Sequence, residues 1–355
     1  MVGNLAPHLW NNSIQYLEKV PMRIFLYTSL RFLIKIALNV YYKRILVEGL
    51  ENVPKNQPLI LVANHQNALL DPLLIGTQLP ILPYFLTRAA VFLNPVITYF
   101  LNLIQMLPVY RVIDGFSTIP KNQKTFQKTE EILRSKGSVL IFAEGNHSLV
   151  RNIRPLSKGF TRMAYGALAQ SPEIQPLILP IGIQYSTHKK SAGLARISIG
   201  KTIPVNPDPA QALKLTKEVE KALKSLVVDI PDENYPETLS NLLANHVDVS
   251  NKQEVDHFLA GKPVLNKVKS VGSLGNKLMK IFHLPLYWIW LYGIAPKIED
   301  EVFTGTWKFL IGAALAPPYY LLIFLCCFHP EYGSWAISLL LMAWISLGLN
   351  ENSQE

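Results

Sequence analysis

His65 and Asp71 lie six residues apart in ANHQNALLDPLL, residues 63–74. A histidine directly behind a hydrophobic run, then a carboxylate, can make a general base and its orienting partner. The carboxylate fixes the imidazole tautomer and the other ring nitrogen takes a proton. Asp71 also has a complete structural explanation. Asp is favoured at a helix N-cap, and Pro72 then occupies the first helical position. On a regular helix six residues turn through roughly 600°, about 120° out of alignment. The pair therefore meets only if the segment between is partly loop, with Asn64 or Asn67 taking the turn.

Three further stretches carry polar groups behind apolar runs. Arg111 follows a strand-like segment in LPVYRVIDG, residues 107–115. A surface arginine is the commoner case, but a guanidinium matches phosphate oxygens bidentately. In SVLIFAEGNHSLVRNIRPLSKGFTR, residues 138–162, Glu144 and Gly145 come at once after a strand. Gly145 permits close backbone approach to a ligand. His147 follows, then Arg151, Arg154, Lys158 and Arg162, which form either an anion funnel or a solvated basic face. In LILPIGIQY, residues 177–185, Pro180 demotes the strand to a sheet edge or a strand end, where it can shape an apolar wall.

The elements needed to position these groups are those of an α/β domain. Strands are expected at 44–50, 59–63, 83–87, 138–142, 177–185 and 195–200, all rich in Val, Ile, Leu, Phe and Tyr. Helices are expected near 72–78, 91–104, 120–136 and 158–170, the third ending at Gly137. Such alternation gives a mostly parallel mixed sheet flanked by helices. Ligands of such sheets bind at the carboxyl ends of the strands, where His65 falls. The reading divides the chain into a helical membrane-interface segment 1–43, an α/β domain 44–225, a polar helical segment 226–280 and membrane-associated helices 281–355.

Composition agrees with that division. The chain has 355 residues, enough for a large core. Only 17% are charged, against roughly 25% in ordinary soluble domains. Lys and Arg number 34 against 25 Asp and Glu, which suits anionic headgroups or phosphorylated substrates. No arginine-rich arm or zinc spacing supports nucleic acid as a partner. Residues 22–42 are apolar but carry Arg23, Arg31 and Lys35, so an interfacial helix is expected in preference to a clean span. Residues 309–328 and 333–349 carry no charge and read as a transmembrane helical hairpin, kinked at Pro317–Pro318. Lys297 and Lys308 at its entry favour a cytoplasmic active site. The first twenty residues hold no apolar core of a signal peptide, so no secretory leader is expected. Adjacent Cys326 and Cys327 read as packing residues, and no metal site is expected.

Taken in order, the His…Asp pair, the arginine after an apolar segment, FAEG with Ser148 nearby, and LPIGI resemble the four motifs of the glycerolipid acyltransferase family. That family includes 1-acylglycerol-3-phosphate and glycerol-3-phosphate acyltransferases. The resemblance covers residues 45–200 and implies acyl transfer from acyl-CoA or acyl-carrier protein to a glycerol-phosphate-type hydroxyl, with no further cofactor. It implies His65 as base and Asp71 as its partner. Arg111 is implied to bind the acceptor phosphate, Glu144 and Gly145 to shape the acceptor site, and Pro180 to border the acyl site. Two departures stand out. Five residues separate His65 from Asp71 where four are usual, and FAEGNHS replaces Phe-Pro-Glu-Gly-Thr-Arg-Ser. His147 thus stands where an arginine is expected, and Arg151 or Arg154 would have to compensate as the phosphate contact.

Overall fold

The structure, a computed structural model, describes residues 7–92, 94–111, 120–264 and 273–349, and within them the side chains outside 7–23 and 273–274. Helix α1 (Pro7–Tyr41) leads into β1 (Arg44–Glu48), β2 (Leu59–Ala63), α2 (Leu70–Gln78), β3 (Tyr84–Arg88), α3 (Pro95–Leu103) and β4 (Met106–Val109). Next come α4 (Asn122–Arg134), β5 (Ser138–Phe142), α5 (Gly159–Gln170), β6 (Leu177–Tyr185), β7 (Leu194–Ile199), β8 (Ile203–Pro204) and α6 (Ala212–Leu226). The strands form one sheet in the order β1-β7-β6-β2-β5-β3-β4, with β8 also on β6. Strands β6, β2, β5, β3 and β4 are mutually parallel. β7 and β8 run antiparallel to β6, and β1 runs parallel to β7. The mixed α/β sheet expected from the sequence is therefore present, and β4 and β8 are additional strands.

Why β2 is buried along its whole length follows from its residues. Leu59, Leu61 and Ala63 point into a layer with α2 and the end of α1. Ile60 and Val62 point into the opposite layer with α4, α5 and α6. A strand covered on both faces needs this uninterrupted apolar run. Pro180 corrects the edge reading of LILPIGIQY, because β6 lies inside the sheet with β2 on one side. On its other side β8 pairs residues 177–178 and β7 pairs 181–185. Pro180 sits in the gap between these partners, where its carbonyl accepts from Gly200 N at 2.9 Å and no strand calls for the N–H it lacks.

Helix α4 ends at Arg134, two residues short of the end expected before Gly137. Lys136 takes the left-handed position, φ 58°. Lys136 N bonds Leu133 O at 2.9 Å and Gly137 N bonds Ile132 O at 2.8 Å, the paired hydrogen bonds of a Schellman cap. A side chain pays a steric penalty there that glycine avoids. Lys136→Gly is expected to raise stability by about 0.5–1 kcal/mol, the relief of the left-handed penalty less the added chain entropy of glycine, read as an increase in the thermal midpoint with unchanged activity.

Beyond the sheet, α7 (Tyr235–Ala244) and α8 (Lys252–Leu259) enclose a small cluster of Val228, Ile230, Leu242, Val247, Val249 and Val255. Helix α9 (Ser273–Phe282) falls in the segment read as polar, yet it packs on α12 (Gly333–Leu349) and joins the C-terminal helices. It meets α10 (Leu284–Trp288) and the turn-rich run to Lys297 at a 92° bend. Helix α11 (Phe303–Cys326) passes through Pro317–Pro318 without ending there and packs on α12. Two helical stretches among the described residues are long and apolar enough to cross a membrane, Ile24–Tyr41 and Phe303–Cys326; α12, with 17 residues, is shorter. The expectation for 22–42 is thereby extended, since α1 meets the length of a span. Arg31, one of the cations that argued for an interfacial position, donates instead to Leu79 O of the domain.

Candidate active site

Parallel strands β2 and β5 end side by side, with β4 one strand further on beyond β3, so the segments that follow all three share one edge of the sheet. This brings together His65, the Glu144–Gly145 turn and Arg111. Asn64 begins the arrangement. Its amide donates to Ile183 O at 2.9 Å and accepts from Ile183 N at 2.7 Å, imitating one more rung of the β2–β6 ladder. The chain then leaves the sheet at His65. The turn to α2 is taken by Ala68, φ 33°, and not by Asn64 or Asn67.

Asp71 is fully buried. It is not the N-cap anticipated for α2; Leu69 is, and Asp71 lies in the first turn of the helix. Its carboxylate instead turns back on the preceding loop. One oxygen accepts from His65 Nδ1, Gln66 N and Asn67 N, each at 2.8 Å. The other accepts from the Tyr185 hydroxyl at the end of β6. Burial, and then the Asp71 charge, push the Tyr185 phenol well above its ordinary pKa, so it stays a donor. With Nδ1–H committed to Asp71, Nε2 of His65 is the nitrogen with an available lone pair. The imidazole stacks on Phe142, with ring centres 4.0 Å apart. So oriented, the imidazole has the geometry that a general base requires.

The Glu144 side chain is buried as well, and it braces His65. It accepts from His65 N at 3.2 Å, Arg154 N at 3.2 Å and Arg154 Nη2 at 2.5 Å. Ser148 N donates to His65 O at 3.0 Å. Both backbone polar groups of His65 are therefore held by the AEGNHS segment. Gly145 takes φ 80°, which suits glycine, and its carbonyl accepts from Arg111 Nη1 at 2.9 Å.

The remaining residues singled out from the sequence separate. Arg151 is buried and donates to Tyr185 O at 2.6 Å and Val249 O at 3.4 Å, tying β6 to the small cluster around Val249. It is engaged inside the protein. Arg154 is bound to Glu144 and to the Asn146 carbonyl. Lys158 and Arg162 are exposed, so the four cations do not converge into a funnel. His147 packs edge-on near His65, with ring centres 5.6 Å apart. Burial first, and then the neighbouring His65 and Arg111, lower its pKa against the opposing pull of Asp300, and at neutral pH it is an uncharged neighbour. Pro180 is buried against Gly200 and Leu226, on the side of the sheet that α6 covers. Among the described residues no cluster of His, Cys, Asp and Glu could hold a metal ion.

Sequence reasoning gave Asn64 only a turn role and did not find Tyr185 or the first turn of α11. Thr306 of that turn accepts from Leu69 N at 3.3 Å, and Phe303 packs edge-on to His147 with centres 5.0 Å apart. Tyr185 offered a faint signal, being the polar end of a nine-residue apolar strand. The α11 contacts arise 237 residues from Leu69 and leave none in the local pattern.

Comparisons with known proteins find an acyltransferase match over the same residues. A family model described as Acyltransferase matches residues 44–184. The chain is 30% identical over 120 residues to glycerol-3-phosphate O-acyltransferase 2 of Saccharomyces cerevisiae, covering 31% of this chain and 16% of that protein. It is 29% identical over 177 residues to a 1-acyl-sn-glycerol-3-phosphate acyltransferase of Chlamydomonas reinhardtii, covering 48% and 50%. The crystal structure of the 1-acyl-sn-glycerophosphate acyltransferase of Thermotoga maritima aligns with TM-score 0.45 and 18% identity, over 61% of this chain and 86% of that one. The match spans half or less of the length of these curated relatives. Residues 44–184 are an acyltransferase domain, similar to those of glycerol-3-phosphate and 1-acyl-sn-glycerol-3-phosphate acyltransferases.

Proposed function

We propose that this protein transfers a fatty acyl group from acyl-CoA or acyl-carrier protein to the hydroxyl of a glycerol-phosphate-type acceptor, glycerol 3-phosphate or lysophosphatidate, at a membrane surface. The observation that carries this reading is the His65 Nδ1–Asp71 contact of 2.8 Å, made to a carboxylate that two backbone amides and Tyr185 also hold. Nε2 of His65 removes the acceptor hydroxyl proton as that oxygen attacks the thioester carbonyl. The tetrahedral adduct then expels the thiolate, which takes the proton from the His65 imidazolium. Asp71 opposes the transient positive charge. The apolar helices Ile24–Tyr41 and Phe303–Cys326 hold the site beside lipid, and Lys297 and Lys308 favour its cytoplasmic face.

Arg111 is the motif arginine bound at the edge of the turn, to Gly145 O, and is proposed to read the acceptor phosphate. Arg111→Ala is expected to raise KM for phosphate acceptors about tenfold or more, the scale of a lost charge-assisted hydrogen bond. The kinetics of a neutral lysolipid acceptor should change far less. Equal loss for both would argue against phosphate reading. A neutral lysolipid as the natural acceptor is a second reading, favoured by the engagement of Arg151 and Arg154 elsewhere and by an uncharged His147. Product mass spectrometry of the purified protein, given acyl-CoA, acyl-carrier protein and a panel of both acceptor types, decides between them. No acyl product from any pair would remove the acyl-transfer reading.

A further inference from the structure

We infer that the first turn of α11 is a wall of the reaction site and receives an alkyl chain, with Phe303 the side chain that meets it. The inference rests on the acyl-transfer reading above. Phe303 lies edge-on to His147, which lies edge-on to His65, so a phenyl ring stands one residue away from the base. Phe303 is 36% exposed. In water such exposure is unfavourable, whereas against hydrocarbon it carries no hydrophobic cost.

Its position is fixed from several directions. Thr306 accepts the Leu69 amide of the His65–Asp71 loop. Tyr41 at the end of α1 donates to Gly305 O at 3.2 Å. A Cβ on Gly305 would lie 2.5 Å from His188 O and 3.0 Å from Asn67 Oδ1, so the helix backbone touches both loops beside the base. Lys308 Nζ donates to Lys189 O at 2.7 Å. A helix serving only as an anchor has no need to approach the loop that carries the dyad this closely.

From this point α11 continues away through a stretch long and apolar enough to cross a bilayer. Trp307, four residues on and therefore on the same face as Phe303, is 42% exposed. An alkyl chain lying along this face passes Trp307, then Phe303, and brings its head to His147 and His65. The chain is either the acyl group of the thioester donor or the tail of a lysolipid acceptor.

Two photoreactive probes distinguish these sources, an acyl-CoA and a lysophosphatidate, each with a diazirine on its chain. The full-length protein in phosphatidylcholine vesicles is irradiated with each probe, with and without excess unlabelled substrate, and the modified residues are located by mass spectrometry. Competable labelling of Phe303 or Trp307 is expected from one probe, and its identity names the source. Competable labelling confined to other elements, or no competable labelling, overturns the inference. This readout needs no turnover. Labelled α11 in a protein that makes no acyl product would sink the reaction and spare the site. In a second arm, Phe303→Trp is assayed with chains from hexanoyl to octadecanoyl. The long-to-short preference in kcat/KM should change about tenfold, the scale of hydrophobic-pocket discrimination. A uniform change across all lengths counts against chain contact at Phe303.

Discussion

His65→Ala is expected to lower acyl transfer about 10²–10⁴-fold, the usual contribution of a positioned general base, in a protein that still folds. Folding should survive because the groups that fix this loop are Asn64, Asp71 and the backbone of His65, all of which remain. What is lost is the imidazole stacked on Phe142. Asp71→Asn tests the other half of the pair. The amide oxygen can still accept from the donors at His65, Gln66 and Asn67, so the loop keeps its shape. It carries no charge to oppose an imidazolium, and kcat should fall by about 10³–10⁴, as in other histidine–carboxylate pairs. Tyr185→Phe removes one donor to Asp71 and should cost about tenfold, on the scale of one hydrogen bond. Steady-state kinetics with a thiol-release readout orders the three variants. A fall confined to KM, with kcat retained, would show that these residues bind substrate and do not move a proton.

Much of this was legible because the site lies at the ends of strands. Runs such as LILVA and SVLIF announce buried parallel strands, and the first polar residues after each, His65 and Glu144, must emerge at the same edge. The added residue between His65 and Asp71 was also visible, and the structure uses it in a loop turned by Ala68. Arg151 and Arg154 illustrate the limit. A cation near a motif looks the same in sequence whether it faces a ligand or a carbonyl, and only the fold shows that Tyr185 O, Val249 O and Glu144 take them. Pro180 misled for a related reason. A proline can sit inside a sheet when the neighbouring strands change over beside it, and that depends on β7 and β8. The α11 contacts were invisible because an uncharged helix reads as an anchor whatever its first turn touches.

Glu144→Ala should be the most damaging single change to stability at the site. It leaves the Arg154 guanidinium without its carboxylate and the amides of His65 and Arg154 without an acceptor. Breaking a buried pair from one side costs about 3–5 kcal/mol. The lower end applies because Arg154 is 23% exposed on its side chain and keeps the Asn146 carbonyl. Burial raises the Glu144 carboxyl pKa even against the Arg154 charge, Arg154 hydrogen bonds and the His65 amide, which lower it. A carboxyl raised in the folded state contributes stability that is fully present below its unfolded pKa and is lost as pH rises through the folded one. At neutral pH the ionised group therefore stabilises less than its contacts suggest, and its worth lies in holding His65. Glu144→Gln should remove that acid-range slope. The double variant Glu144→Ala/Arg154→Ala separates the two roles. Removing the orphaned cation should restore part of the lost stability, seen in denaturant midpoints, but not kcat, because the amide of His65 still lacks its acceptor. Recovery of kcat along with stability would mean that Glu144 serves the fold alone.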